Sequence, residues 1–372
     1  EFRWLVWWAR RCVLETGVLP VAGGPVRRLN EAWGYDMPLD WTPDSREVFF
    51  KTRLNGQPIF MLAPVDGSSM RQVPLPGSPI EGWPILSGNG GHVLFFTDPE
   101  EGPREAWVYD ILGDSARKLD EGPQPPGYSF WRRWGIRGSG GSFMRDGAVF
   151  LYGIHRNGHY ELMAADPEST PRLLWSFPTE EFAGPLAGPP PEVAVHGNRI
   201  AFARNEGEEA SLYLAQAGED QPRLLLTLPG LLAPQGHGPF MWSPDGRRLA
   251  IRYVPPPPAR SGVLVVDVGD DGEVVGEPLM LEGGEIGQWM PDSQHFLGGG
   301  NWSGEDQWGA GVWLVSLDPD EDPVLVSAGL QESIWYFRLS PDGRYITFEG
   351  EIPRGSSVWR VDLGDALLGP GG

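Results

Sequence analysis

A short repeated unit is the feature that most restricts what this chain can fold into. Its clearest copy is Trp242-Ser243-Pro244-Asp245-Gly246-Arg247, which leads into a β run from Arg248 to Val254. In such a turn proline fixes φ, aspartate bonds to its own backbone, and glycine accepts a positive φ without strain. Apolar residues then occupy alternate positions, as they do in a half-buried strand. The unit therefore predicts a strand, a tight turn and a second strand.

Further copies of this unit run through the sequence. The closest are Trp41 to Arg46, Trp289 to Ser293 and Leu339 to Arg344, and more degenerate ones are Trp83 to Ser87, Met144 to Gly147 and Val195 to Asn198. A second hairpin and a short fourth strand follow most copies, at a period of about 40–50 residues. Four strands per repeat with this spacing predict the blades of a β-propeller.

We therefore expect an all-β chain that folds as a single β-propeller domain over residues 1–372, with seven four-stranded blades favoured and six or eight as alternatives. The last repeat has no obvious fourth strand, whereas residues 1–33 resemble a third and a fourth strand. An N-terminal strand that pairs with the last blade would close the ring and remove its open edges. The predicted blades cover approximately residues 34–80, 81–123, 124–182, 183–230, 231–283, 284–329 and 330–372.

The Trp-Ser-Pro-Asp-Gly-Arg unit followed by a β run resembles the repeats of the TolB-like β-propeller family, distant relatives of Trp-Asp-repeat (WD40-like) blades. The resemblance covers nearly the whole chain and implies a fold rather than an activity. Members of that family include bacterial periplasmic scaffolds, propeller domains of tricorn and prolyl-oligopeptidase-type peptidases, and a lyase that acts on pectic fragments.

Composition narrows the partners that we expect. The formal net charge is −21, so the basic surface that nucleic acids require is missing and no nucleic acid partner is expected. The apolar run from Trp4 to Ala9 is too short for a transmembrane segment, which needs about 20 residues. Cys12 is the single cysteine, so no disulfide within the chain is expected. We expect a monomer, in the bacterial periplasm or at the cell exterior if an upstream signal has been removed.

A propeller separates its loops into two sets, and the candidate ligand-binding residues belong to one of them. The connections between second and third strands and between blades open on one face, and the Pro-Asp-Gly turns open on the other. The first set predicts an opening that binds a carboxylate or sugar-like ligand through arginine pairing and tryptophan stacking. Its candidates are Arg53, Trp131, Arg132, Arg133, Trp134, His155, Arg156, Arg204, Arg252, Trp302 and Trp308. Alternatively, these arginines pair with nearby glutamates such as Glu206 and Glu349.

Metal binding has weaker candidates. His155 and His159 stand close together in sequence, but no further ligands are identifiable. Asp318, Asp320 and Asp322 alternate as in a calcium loop, without the glycine and the distal glutamate that such a loop needs, which favours an ordinary hairpin turn. No cofactor is expected, and no nucleophilic catalytic motif is found, because Gly138 to Ser142 does not fit Gly-x-Ser-x-Gly.

Three hypotheses about function remain. The favoured one is a non-catalytic propeller that binds a protein or a polysaccharide through the face rich in Arg and Trp. The second is a metal-dependent lyase or hydrolase that acts on an anionic sugar through the loop with His155 and His159. The third is the propeller domain of a larger peptidase or sensor protein.

Overall fold

The computed structural model describes residues 14–21, 27–28, 37–76, 80–97, 105–119, 150–156, 158–165, 170–178, 193–216, 222–232, 240–300, 302, 311–327 and 336–351. These residues form strands and turns and contain no helix, so the all-β prediction is confirmed for them. It follows that none of them forms an apolar helix long enough to span a bilayer.

The strands in chain order are β1 (Leu14–Pro20), β2 (Arg27–Arg28), β3 (Met37–Trp41), β4 (Glu47–Leu54), β5 (Gln57–Pro64), β6 (Arg71–Val73), β7 (Ile80–Leu86), β8 (His92–Thr97), β9 (Glu105–Asp110), β10 (Ser115–Lys118), β11 (Phe150–Arg156), β12 (His159–Ala165), β13 (Arg172–Pro178), β14 (Val193–His196), β15 (Arg199–Glu206), β16 (Glu209–Gln216), β17 (Arg223–Pro229), β18 (Leu231–Leu232), β19 (Met241–Trp242), β20 (Arg248–Val254), β21 (Gly262–Asp267), β22 (Leu279–Glu282), β23 (Glu285–Trp289), β24 (His295–Gly300), β25 (Gly311–Ser316), β26 (Val324–Leu325), β27 (Tyr336–Leu339) and β28 (Tyr345–Glu351).

The strands divide between two compact units, of which the smaller comprises Glu1–Pro74, Gly309–Gly311 and Leu325–Gly372. It holds two four-stranded sheets, in the orders β3-β4-β5-β6 and β2-β1-β28-β27. The first is a meander, in which each strand pairs antiparallel with the next along the chain. This arrangement is the one that a propeller blade requires.

The second sheet of the smaller unit joins the two ends of the described chain. Strand β1 pairs antiparallel with β28 over seven residues, from Leu14 opposite Glu351 to Pro20 opposite Tyr345. The neighbour of β28 is therefore the N-terminal strand β1, so the predicted pairing of an N-terminal strand with the last repeat is confirmed. The N-terminal segment supplies two strands of this sheet, β1 and the outer strand β2.

The larger unit comprises Leu75–Trp308 and Val312–Val324 and contains five sheets, apart from single residues at the start of β25 and the end of β26. Their strand orders are β10-β9-β8-β7, β11-β12-β13, β14-β15-β16-β17, β18-β20-β21-β22 and β23-β24-β25-β26. In the fourth of these sheets the inner strand is split, because β18 and β19 pair with opposite ends of β20. The neighbouring strands of the first four sheets, and β23 with β24, are antiparallel, as the repeat predicts. The predicted total of seven blades remains a prediction, since it concerns both units together.

The core lies between successive sheets, and the tryptophans of the repeated turn unit help to build it. Trp242 is buried, and its indole N–H donates to the carbonyl oxygen of Ala194 in the preceding sheet at 3.3 Å. Trp289 repeats this contact with the Met241 carbonyl at 3.5 Å. In the smaller unit Trp41 repeats it with Arg338 at 3.2 Å. A buried indole needs a partner for its N–H, so each tryptophan both fills space and fixes the position of one sheet against the next.

Candidate functional site

The Pro-Asp turns use their polar groups internally. In the turn that begins at Ser243, the hydroxyl donates to Asp245 Oδ1 at 2.5 Å and accepts the backbone N–H of Arg248 at 3.0 Å. The same carboxylate oxygen accepts the Arg247 N–H at 3.0 Å. The Ser243 hydroxyl and the Asp245 carboxylate therefore have their partners within the turn itself.

The other copies of the turn keep this network with different residues. Thr42 and Asp44 form it with bonds of 2.7 to 3.1 Å, and the hydrogen bond from the Thr42 hydroxyl lowers the pKa of Asp44. The degenerate copy at Ser87 substitutes Asn89, whose side-chain oxygen lies 2.7 Å from the Ser87 hydroxyl oxygen. An acid held in this way stays ionised, and it is poorly placed to act as a proton donor near neutral pH.

Serine replaces glycine in two turns because it makes a bond between sheets. Ser45 and Ser293 have φ of 59° and 58°, values that L-residues seldom adopt. The Ser293 hydroxyl accepts the backbone N–H of Asp245 in the preceding sheet at 3.1 Å, and Ser45 does the same for Asp342 at 3.0 Å. At the end of the sheets that carries the turns, these two serine hydroxyls thus link the turns of neighbouring sheets to each other.

The predicted arginines lie at the opposite end of their second strands. Arg53, Arg204 and Arg252 pair across the strand with Pro58, Ser211 and Val263, on the approach to the connection between second and third strands. Arg53 is exposed, whereas Arg204 and Arg252 are half-buried. Burial lowers the pKa of the Arg252 guanidinium, which nevertheless remains charged at neutral pH.

Arg204 and Arg252 do not form one clamp, although they lie in neighbouring sheets. Ala203 packs in the cluster between the sheet of β15 and the sheet of β20, so Arg204, the next residue, belongs to the other face of its sheet. Ala250 packs towards the sheet of β23, and Arg252, two residues later, shares that face. The two arginines therefore face away from each other and would contact a ligand separately.

Trp302 is a core residue, so its buried ring does not fit the predicted stacking against a ligand. Its exposed fraction is only 7%, and its ring packs edge-on against Phe296 with centroids 5.6 Å apart. The indole N–H donates to the Gly299 carbonyl at 3.1 Å. A Cβ added at Gly284 would clash with the Gly299 carbonyl oxygen and would meet the Trp302 indole nitrogen at 2.5 Å, so this glycine makes room for both.

Several predicted residues lie beyond what the structure describes. Trp131, Arg132, Arg133, Trp134 and Trp308 are outside the described ranges, and they stay predictions. His155 and Arg156 end β11, where Arg156 is paired with His159 and His155 with Tyr160. Since directly paired residues share a sheet face and neighbours alternate, His155 and His159 occupy register positions on different faces.

The metal candidates do not assemble into a site within the described residues. No group of three or more His, Cys, Asp or Glu side chains with metal-binding placement occurs among them. Asp318, Asp320 and Asp322 are exposed, and the Asp318 carboxylate accepts the Asp320 backbone N–H at 3.0 Å. The segment is a hairpin turn between β25 and β26, the alternative that the sequence favoured.

Asp40 is a titratable residue with a shifted pKa that was not among the candidate site residues predicted from the sequence. It follows Leu39 on the edge strand β3, is half-buried, and accepts the backbone N–H of Trp41 at 2.8 Å. Burial raises the pKa of its carboxyl to about 6, although the Trp41 N–H and the charge of Arg338 act in the opposite direction. The one sequence signal is a comparison of the repeats. Asp40 directly precedes the tryptophan of its turn unit, whereas the uncharged Met241 and Gln288 precede Trp242 and Trp289.

One cavity accompanies the turns of the sheet that contains β20. It has a volume of about 300 Å³ and is lined by Arg247, Arg248, Asp267, Asp270 and Val275 among others. Arg248 is occupied there, since its Nε donates to Asp267 at 2.8 Å and its Nη1 to the Ser293 carbonyl at 2.7 Å. The charges of the lining cancel, so the cavity offers little selectivity for an anion.

Comparison with known proteins identifies the fold. No protein-family model matches the chain, and no curated protein matches it either. Solved structures do match. An oligogalacturonate lyase in complex with manganese aligns with a TM-score of 0.63 at 11% identity, over 92% of this chain and 97% of that one. The β-propeller domain of the Trilobed protease from Pyrococcus furiosus aligns with a TM-score of 0.55 at 14% identity, over 89% of this chain and 98% of that one.

A protein described as TolB from Agrobacterium tumefaciens aligns over 91% of this chain and 99% of its own, with 13% identity and a TM-score of 0.47 that is too low to argue from. At these identities the likeness concerns the fold and not the activity. The alignment with the Trilobed protease propeller therefore shows a β-propeller fold, which is the fold that the resemblance to TolB-like propellers predicted.

Proposed function

We propose that this chain is a non-catalytic TolB-like propeller that binds a protein or polysaccharide ligand at the end of its sheets where second and third strands join. The observation that carries the proposal is the contrast between the two strand ends. The turn end uses its hydroxyls and carboxylates within and between sheets, as the bonds of Ser243 and Ser293 illustrate. The opposite end carries Arg53, Arg204 and Arg252 on three different second strands.

An anionic ligand fits these residues best. A guanidinium binds a carboxylate through two parallel hydrogen bonds, which suits acidic side chains and uronic sugars alike. Arg252 is half-buried, so a bond that it forms is less screened by water and salt than one at a fully exposed arginine. Because Arg204 and Arg252 face different ways, an extended ligand that reaches both suits the geometry better than a small one.

Binding of oligogalacturonate and of a polyglutamate peptide, measured by calorimetry, tests this proposal. Arg252→Gln and Arg204→Gln should each weaken the ligand that binds by about tenfold, the cost of one charge-assisted pair. Arg247→Gln is the matched control, because Arg247 is an exposed arginine at the turn end. Equal losses in all three variants would point to general electrostatics and would contradict a site at the proposed end.

A second candidate is a metal-dependent lyase or hydrolase that acts on an anionic sugar. The alignment with the manganese-containing oligogalacturonate lyase favours it, since that structure covers almost the whole chain. His159 would be one ligand together with residues still to be identified, since His155 occupies a register position on the other face of the sheet. Purified protein that retains a stoichiometric metal, and loses it in His159→Ala, would support this function and overturn the non-catalytic one.

The alignment with the Trilobed protease propeller supports a third candidate, a propeller domain of a larger peptidase or sensor protein. Sequencing of the gene on both sides of this segment would decide it.

We also propose that the chain is a monomer with seven blades, the number that the sequence repeats favour. Sedimentation velocity would test the monomer, and electron microscopy of the protein bound to a rigid antibody fragment would test the blade count.

A further inference from the structure

Two outer edge strands of the larger unit are much longer than the others. Strands β13 and β17 each have seven residues and lie at the edge of their sheets, whereas the outer strands β10, β22 and β26 have two to four. A long edge strand offers a row of N–H and C=O groups to another strand, which is why proteins usually keep such edges short or cover them.

The two long edges share one sequence pattern. Arg172–Pro178 reads Arg-Leu-Leu-Trp-Ser-Phe-Pro and Arg223–Pro229 reads Arg-Leu-Leu-Leu-Thr-Leu-Pro. In both, the leucine after the arginine is largely exposed, 49% for Leu173 and 51% for Leu224. An exposed leucine on a free edge is an apolar contact for a strand added beside it.

The register of β17 identifies which backbone groups point outwards. Gly230 donates its N–H to the Glu208 carbonyl at 2.7 Å, and Pro229 is paired with Glu209, Leu228 with Ala210 and Thr227 with Ser211. Bonded and non-bonded pairs alternate along an antiparallel ladder, so Thr227 directs its N–H and C=O away from β16. Within the described residues no strand occupies that outer side of β17.

The surroundings of β17 specify the charge of its partner. Glu208 and Glu209 are exposed near the Pro229 end, and Asp271 and Glu273 are exposed near the Arg223 end. Arg223 is already engaged, with its Nη1 2.6 Å from Glu273 and its Nη2 2.9 Å from the Asp271 carbonyl. Carboxylates therefore bracket the strand, on a chain whose net charge is −21.

We propose that β17 is a docking edge for an extended segment of a basic protein, which adds a strand outside β17 and places Lys or Arg near its two carboxylate-rich ends. Backbone bonds to β17 supply affinity, and an apolar side chain beside Leu224 supplies contact. A second copy of this chain fits less well, because antiparallel pairing of two β17 strands would place one carboxylate-rich end against the other. The edge is separate from Arg204 and Arg252 and does not depend on the ligand proposed for them.

Fluorescence anisotropy with labelled peptides of alternating Val and Thr tests the edge. We expect the version flanked by lysines to bind at least about tenfold more tightly than the version flanked by glutamates, and a central proline in the peptide to abolish binding. Thr227→Pro should reduce the affinity by about tenfold or more, since proline at an outward position removes a donor without removing an internal ladder bond.

Two controls separate docking from other effects. Ser211→Ala removes the hydroxyl pair that Thr227→Pro also loses, 3.0 Å between the oxygens, and should leave peptide binding nearly unchanged. Arg252→Gln should also leave it unchanged, so the proposed ligand site and this edge can fail independently. If Thr227→Pro does not fold, Leu224→Lys replaces it, because an exposed lysine is tolerated and should repel the basic peptide.

Unchanged affinity in the folded Thr227→Pro variant, or no binding of the lysine-flanked peptide to the wild type, would overturn the proposal. So would a wild-type dimer that dissociates in Thr227→Pro during sedimentation, because a second copy would then be the occupant.

Discussion

Gly246 offers the sharpest test of how neighbouring sheets fit together. Its φ is +69°, and a Cβ placed on it would lie 2.4 Å from the imidazole of His196 in the preceding sheet. An L-residue in the left-handed region costs about 1–2 kcal/mol. Displacing a packed ring adds about 1–2 kcal/mol, at the lower end of the cost of overpacking. We therefore expect Gly246→Ala to lower the free energy of unfolding by about 2–4 kcal/mol.

Gly207 provides the matched control. It has a φ of +64°, and a Cβ there would meet no atom within 4 Å. Gly207→Ala should therefore cost only the backbone strain, about 1–2 kcal/mol. A second control removes the obstacle: in a His196→Ala background, Gly246→Ala should lose its extra cost, which gives a coupling of about 1–2 kcal/mol.

Urea unfolding followed by tryptophan fluorescence measures these differences, since the chain has 17 tryptophans. Agreement between fluorescence and circular dichroism should be checked first, because repeat proteins can lose two-state behaviour. The reasoning is refuted if Gly246→Ala and Gly207→Ala cost the same, or if the His196→Ala background leaves the cost of Gly246→Ala unchanged.

Two further predictions concern polar groups that the fold constrains. Ser293→Ala removes the acceptor of the Asp245 N–H and keeps the positive φ, so it should lower the free energy of unfolding by about 1–2 kcal/mol. Ser293→Gly loses the same bond but relieves the backbone strain, so its cost should be about 1 kcal/mol smaller. Equal costs of the two variants in urea unfolding would contradict this. Asp40 has a folded pKa of about 6, above its ordinary value of 3.8, so its protonated form favours the folded state and the associated stability is lost as pH rises from 3.8 to 6. Asp40→Asn should thus stabilise the protein at pH 7 by about 1–3 kcal/mol and flatten this part of the pH profile; a less stable variant at pH 7 would show that the Arg338 contact outweighs burial.

The arginines illustrate what sequence patterns predict well and where they fail. Their place near the ends of the second strands followed from the repeat, and the register of β4, β15 and β20 puts them there. Their grouping did not follow, because a shift of one residue along a strand moves a side chain to the other face. Arg204 and Arg252 differ by such a shift and therefore lie on faces that point away from each other. The packing of Ala203 and Ala250 in the core shows which face each arginine occupies.

The sequence by itself determined the local units: turn chemistry and alternating apolar residues specify hairpins, and their repetition specifies a propeller. Contacts between residues far apart in sequence decided the rest. Burial of Trp302 depends on the space at Gly284, and the serines at positions 45 and 293 depend on the neighbouring turn that each one bonds. The raised pKa of Asp40 likewise depends on the sheets that bury it. Such properties arise from the environment of a side chain, which exists only once the sheets have packed.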